Sequence, residues 1–169
     1  MKSQSRFVVL MKVKISIDYI FSSPLERAYE TACIIKGDRD IEIVKDERLI
    51  EVGFGLYEGT VVDERKGSFA LFFDDPQNYV AEKGAESYES LLARTKAFIE
   101  NVLFPIEENK PDATVLISGH GALNKALFQH LLHKQLKDFW SGVYQGNCAV
   151  NKFEIKKGNV RLIDEARYY

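Results

Sequence analysis

The strongest constraint in this sequence is a pattern that occurs twice. A short apolar run stops at a serine- or glycine-rich turn, and a helix start follows at once. Ile15, Ile17, Tyr19, Ile20 and Phe21 lead into Ser22-Ser23-Pro24-Leu25-Glu26, and Ala113 to Ile117 lead into Ser118-Gly119-His120-Gly121. Apolar runs this short read as buried strands, since a strand covered on both faces loses the alternation of a half-exposed one. A strand that feeds a helix and then another strand crosses over its sheet, which makes the sheet parallel and puts helices on its faces. The pattern predicts an α/β fold, a three-layer α/β/α sandwich with a mainly parallel sheet.

The other elements fit that frame. Ser23 is a predicted N-cap, Pro24 the first helical position and Glu26, three residues after the cap, the partner of a capping box. Ala28, Ala32 and Ile35 give this helix a narrow apolar face, and Gly37 its C-cap. Ile41 to Val44 make a second short strand. From Glu47 to Gly59 the pattern breaks into a loop marked by Gly53, Gly55 and Gly59. Residues 60–83 are mixed, with an aromatic cluster of Phe69, Phe72, Phe73 and Tyr79. Ser87 opens the best helix of the chain, with apolar residues from Tyr88 to Leu103 at three- and four-residue steps, and Pro105 is expected to end it. Leu123, Ala126, Leu127, His130 and Leu131 share one face of the next helix. Asn147 to Ile155 and Val160 to Ile163, joined around Lys156-Lys157-Gly158-Asn159, read as an antiparallel hairpin at one edge.

No repeat or linker divides the 169 residues, so one domain spanning 1–169 is expected, large enough to fold without a disulfide or metal staple. A formal net charge of -2 disfavours a nucleic-acid partner. Lys12 and Lys14 cut short the apolar stretch Phe7 to Met11, which is neither a signal peptide nor a membrane span. Cys33 and Cys148 lie far apart without metal-ligand spacing and read as small buried hydrophobes of a reducing, cytoplasmic setting. His130 and His133 lack carboxylate or cysteine partners nearby and read as core packing. No metal or cofactor site is expected, and no phosphate-binding P-loop, nucleophile elbow or dinucleotide glycine pattern is present.

Ligands of open α/β sheets gather beyond the carboxyl ends of the strands, which here are the two strand-to-helix turns. Their free backbone N–H groups, including those of Gly121 and Ala122, favour an anion. Arg27 stands in the first turn of its helix, where the macrodipole opposes a cation. A bound phosphate would convert that conflict into attraction and would suit the guanidinium fork; the alternative is a surface pair with Glu26 or Glu30. His120, between two glycines, either serves a phosphoryl group as donor or proton carrier, or caps its helix. Glu51, among apolar and glycine neighbours, is either a proton donor with raised pKa or a solvated loop glutamate.

Together these segments resemble the histidine phosphatase superfamily, the phosphoglycerate mutase-like proteins. Ile20-Phe21-Ser22-Ser23-Pro24-Leu25-Glu26-Arg27-Ala28 with Thr31-Ala32 is similar to the motif whose arginine grips the phosphoryl group, which Ser23 adjoins. Leu49-Ile50-Glu51-Val52-Gly53-Phe54-Gly55-Leu56-Tyr57-Glu58-Gly59 resembles the acidic loop, with Glu51 at the general acid. Gly84-Ala85-Glu86-Ser87 with Arg94 is similar to the opening of the long helix. Val115-Leu116-Ile117-Ser118-Gly119-His120-Gly121 resembles the strand of the second active-site histidine, and Gly146-Asn147-Cys148-Ala149-Val150 the start of the late hairpin. The resemblance implies phosphomonoester hydrolysis of a small phosphorylated metabolite: a histidine attacks phosphorus, Glu51 protonates the leaving alcohol, and water then attacks the phosphohistidine. The resemblance also implies that residues 60–83 are a short cap insertion, which fits phosphatase-like members better than mutases.

One piece of the family pattern is missing. The family opens with a strand running into Arg-His-Gly, whose histidine is the nucleophile, whereas this chain has only His120, His130 and His133. Gln4 to Lys14 would then match the end of the family's first helix in a truncated or late-started member, or residues 6–11, with Phe7, Val8 and Val9, would replace the strand. Either an impaired phosphatase or a non-catalytic phosphate-binding protein is expected, with a homodimer or swapped segment filling the gap in the sheet.

Overall fold

A computed structural model describes residues 16–60, 66–82 and 84–168. The expectations for Gln4 to Lys14, for residues 6–11 and for Ile15 lie outside the described residues, as does part of the insertion at 60–83.

Strand β1 (Tyr19–Ser22) is followed by helix α1 (Glu26–Lys36) and strand β2 (Ile43–Lys45). Helix α2 (Gly67–Asp74) lies in the insertion, and α3 (Tyr88–Phe98) continues through a π turn (Ile99–Leu103) into α4 (Phe104–Asn109). Strand β3 (Val115–Ser118) feeds α5 (Gly121–Leu131), and β4 (Val150–Lys156) with β5 (Asn159–Arg167) closes the chain. The first three strands form a parallel sheet in the order β2-β1-β3. Ser22 stands beside Ser118 in its register, so both strand-to-helix turns emerge at one end. This is the α/β architecture that the strand–helix alternation predicts.

The layers follow from the alternation of side chains along each strand. Phe21 and Ile117 face the core built by Phe98, Leu103, Leu123 and Leu127, with the Phe21 and Phe98 rings edge to face at 5.5 Å. On the other face α1 lies against β1 and β3, burying Ala28 and Ala32. Ser118 Oγ donates to the Ala28 carbonyl at 2.7 Å, tying strand to helix. A second core joins Val52, Phe72, Tyr88, Leu91, Ala126 and Phe139. There α2 presents Phe69, Phe72 and Phe73 to Phe54 at ring separations of 5.3, 5.1 and 6.0 Å. The insertion is thereby anchored to the loop that follows Glu51.

Four details differ from the sequence expectations. Helix α1 starts at Glu26 with Leu25 as its cap, and no side-chain capping bond forms there. Ser23 is withheld because its N–H still extends the sheet to the Ser118 carbonyl at 2.9 Å, and its hydroxyl, which accepts from Leu25 N–H at 3.3 Å, is shared with the His120 ring. Pro105 does not stop the long helix; it sits in the first turn of α4. The widened π turn immediately before it falls where a regular helix would demand the missing proline N–H. Cys33 is exposed rather than buried, and both cysteines are free thiols. The hairpin is shifted, its first strand starting later, at Val150, and its second running on to Arg167; it turns at Lys157 and Gly158 with φ of 51° and 75°, the backbone that a two-residue turn matched to strand twist requires.

Among the described residues, β3 pairs only with β1, and β4 only with β5. A groove therefore runs along the outer edge of β3 between the parallel sheet and the hairpin.

Candidate active site

At the carboxyl end of the sheet this groove opens into a cavity of about 1240 Å³, lined there by Arg27, Glu51, Gly119, His120, Gly121 and Asn124. Farther along, β3 and the Phe153 and Ile155 side of β4 form its walls. The catalytic candidates Arg27, Glu51 and His120 thus face one space, although they lie 24 and 69 residues apart in sequence.

Each side chain is placed by a different element. Arg27 is the second residue of α1 and is exposed. It forms no hydrogen bond or ion pair with Glu26 or Glu30 among the described residues, so the surface-pair alternative is not what holds it. Its guanidinium faces Glu51 and His120 closely enough to act on the titration of both. Glu51 leaves the short 3-10 turn Glu47–Leu49 and crosses to the start of α5. Its Oε1 accepts from Val52 N–H at 3.0 Å and Leu123 N–H at 3.0 Å, and its Oε2 from Ala122 N–H at 3.3 Å. The helix dipole and these N–H groups favour the carboxylate. Burial outweighs them, and the Glu51 carboxyl is held above the ordinary glutamate range even with Arg27 pulling it down. Glu51 is therefore a partly buried carboxyl held by three backbone amides and not a solvated loop residue.

His120 is the N-cap residue of α5 in extended backbone, but its ring makes no capping bond. The ring turns away to place Nε2 2.8 Å from Ser23 Oγ. It is buried, and burial first, with Arg27 and Arg94 beside it, lowers its pKa to about 4. At neutral pH it is an uncharged imidazole. The flanking glycines have separate reasons. A Cβ on Gly119 would lie 2.7 Å from Leu123 Cδ2, whereas one on Gly121 would meet nothing nearer than Glu51 Oε2 at 4.0 Å. A side chain at Gly119 would have to displace Leu123 on α5, and Gly121 leaves the cavity floor open.

The four binding candidates separate. Arg27 and Gly121 line the cavity. Ser23 is fully buried behind His120, and the Ala122 N–H is taken by Glu51. His130 donates to the Leu92 carbonyl at 2.8 Å between α5 and α3, as a packing histidine would.

Sequence reasoning did not single out Arg94 as a site residue. Its Nε and Nη2 donate to the two carboxylate oxygens of Glu86, each at 2.8 Å, and its Nη1 donates to the Arg48 carbonyl at 2.7 Å. The available signal was an arginine three residues after Leu91, beside the buried stripe of α3. Asn124, one turn into α5, carried no such signal.

Comparison with known proteins agrees with the geometry. A family model described as the histidine phosphatase superfamily (branch 1) matches residues 4–165. Phosphoserine phosphatase 1 of Hydrogenobacter thermophilus is 31% identical over 144 residues, an alignment covering 83% of this chain and 66% of that protein. The chain thus spans just under two thirds of that relative's length. The structure of Bacillus stearothermophilus YhfR superposes with a TM-score of 0.83 at 28% identity, covering 97% of this chain and 80% of that one. A mycobacterial glucosyl-3-phosphoglycerate phosphatase in complex with inorganic phosphate shares the fold, with a TM-score of 0.82 at 23% identity over 96% of this chain and 84% of that one. With a parallel sheet of this order, a cavity at its carboxyl end and a family match over nearly the whole sequence, the chain belongs to the histidine phosphatase superfamily.

Proposed function

We propose that the chain is a phosphomonoester phosphatase of the phosphohistidine type whose catalysis is impaired in this form. Arg27 grips the phosphoryl oxygens, Gly121 gives them room and a backbone N–H, and neutral His120 donates to them while Ser23 holds its ring. Glu51 delivers a proton to the leaving alcohol oxygen. The observation that carries this reading is the Glu51 carboxyl, partly buried on the first-turn amides of α5 and lining the same cavity as Arg27. The named relatives, one a phosphoserine phosphatase, support the reaction class.

The impairment follows from the histidines. Of His120, His130 and His133, only His120 lines the cavity, while covalent phosphoryl transfer in this family uses a second ring as nucleophile. Residues 60–83 act as a short cap, and the protein works in the cytoplasm, where its two thiols stay reduced. A homodimer would cover the edge of β3 that is unpaired among the described residues.

Turnover of a chromogenic phosphomonoester, with thermal melts in inorganic phosphate, tests this reading. Phosphate is expected to raise the melting temperature, Arg27→Ala to abolish the rise, and hydrolysis to stay near background. Turnover at rates usual for phosphatases that survives His120→Ala would overturn the impaired-enzyme reading. A second reading, a non-catalytic phosphate-binding protein, is favoured by the same missing ring; hydrolysis restored by added imidazole would exclude it.

A further inference from the structure

We propose that Arg94, acting with Glu86, is the positioning residue for Glu51, holding the backbone on both sides of it so that its carboxyl stays on the first turn of α5. The Arg94 fork donates twice to the Glu86 carboxylate, which leaves Nη1 to take the Arg48 carbonyl. Glu86 in turn donates its own N–H to the Gly53 carbonyl at 2.8 Å. Arg48 stands three residues before Glu51 and Gly53 two residues after it. One bidentate pair, rooted at the start of α3, therefore grips the acid loop at both ends.

The grip is stiff for physical reasons. Both side chains are mostly buried, at 16% and 17% exposure, where a bidentate charge-assisted pair is stronger and more directional than at the surface. Ser90 Oγ adds a bond to Glu86 Oε1 at 3.0 Å. Nearby Phe54 bridges to Ala85, and Gly55 packs so close to Gly84 that no Cβ would fit. The loop has no regular secondary structure at Glu51 itself, so the direction of that side chain is set by these anchors and by the α5 amides that it reaches. Lysine could supply the charge of Arg94 but not three donors in one plane.

A purely structural role predicts lower stability with an unchanged site. Positioning predicts a change at Glu51 within the folded protein. The groups that face Glu51 are Arg27 and the amides of Val52, Ala122 and Leu123; those facing His120 are Arg27, Arg94 and Ser23.

The test is NMR titration of the Glu51 carboxyl and the His120 ring, with the Leu123 amide signal, in wild type, Arg94→Lys and Arg94→Met. In both variants the Glu51 midpoint is expected to fall toward that of an exposed glutamate, and the Leu123 amide is expected to lose its dependence on Glu51 ionisation. The His120 midpoint is expected to stay near 4 in Arg94→Lys, which keeps the charge, and to rise in Arg94→Met. Glu86→Gln, which spares Arg94 itself, should reproduce the Glu51 change if the methionine variant fails to fold. Unchanged Glu51 and Leu123 signals in a folded variant would overturn the proposal. The inference rests on the proposed function only for what Glu51 does. If phosphate fails to raise the wild-type melting temperature, that reading falls, while the Glu51 titration still decides this one.

Discussion

The Nε2 of His120 stands 2.8 Å from the Oγ of Ser23, with both residues buried. The ring is therefore oriented by the end of the neighbouring strand and not by the helix that it begins. Ser22 and Ser118 are register partners, so the pairing of β1 with β3 sets the distance between ring and hydroxyl. The sheet thus fixes the His120 ring, while α1 carries Arg27 and the first turn of α5 holds Glu51.

Removing the Ser23 hydroxyl should show this dependence. Ser23→Ala leaves the His120 ring and the Leu25 N–H each short of a partner, and a lost buried hydrogen bond costs roughly 1–3 kcal/mol. The expected result in urea melts is a fall in stability of that order, together with a smaller phosphate-induced rise in melting temperature. Full stability with an unchanged phosphate response would show that the ring is held by other means.

Acid should destabilise the protein through His120. In the unfolded chain the ring takes up its proton near pH 6.5, and in the folded protein only near 4. Between these values the unfolded state binds more protons, so stability is lost as pH falls through the window. The loss is on the order of 1–3 kcal/mol. Glu51 works in the opposite sense, since its raised pKa lets the folded state hold a proton that the unfolded state has released. Denaturation curves of wild type and His120→Gln from pH 4 to 7 isolate the histidine: the wild type should lose more stability on acidification than the variant.

Two glycines of the acid loop should respond differently to alanine. Both have positive φ, 55° at Gly55 and 77° at Gly59. A Cβ on Gly55 would lie 2.5 Å from the Gly84 carbonyl carbon, whereas one on Gly59 meets nothing within 4 Å. Gly59→Ala is expected to cost about 1 kcal/mol for the left-handed backbone. Gly55→Ala should cost roughly 1–3 kcal/mol more, because backbone cannot yield to it cheaply. Equal midpoints in chemical denaturation would refute the close approach of the two segments.

What was legible in the sequence, and what was not, follows the range of the forces involved. The helices and strands announced themselves through the spacing of neighbouring apolar residues, as with Leu123, Ala126 and Leu127 on α5. Ser87 caps α3 as expected, accepting from Ser90 N–H at 3.1 Å. Ser23 carries the same local signal yet caps nothing, because the Ser118 carbonyl and the His120 ring, both distant in sequence, claim it first. Pro105 reads as a stop, but the π turn before it absorbs the missing donor. Arg27, Glu51 and His120 could each be nominated from their turns, and their meeting around one cavity follows from the parallel pairing of β1 and β3. Arg94 was not nominated as a site residue because its role lies in a bond to a carbonyl 46 residues away, which no local pattern encodes.

The gap between β3 and the hairpin has a mechanical consequence. Among the described residues the molecule holds two separate backbone ladders, and β4 with β5 reaches the rest through side chains alone. Phe153 rests on Phe128 at 5.0 Å, Glu165 meets Lys125 at 3.3 Å, and Glu107 accepts Lys157 N–H at 2.8 Å. Such a panel can swing away without breaking a strand of the parallel sheet, and opening units of this kind fall below the global stability. In native-state hydrogen exchange the amides of β4 and β5 should exchange together, well before those of β1. Joint exchange of all five strands would mean that side chains alone weld the two ladders into one cooperative body.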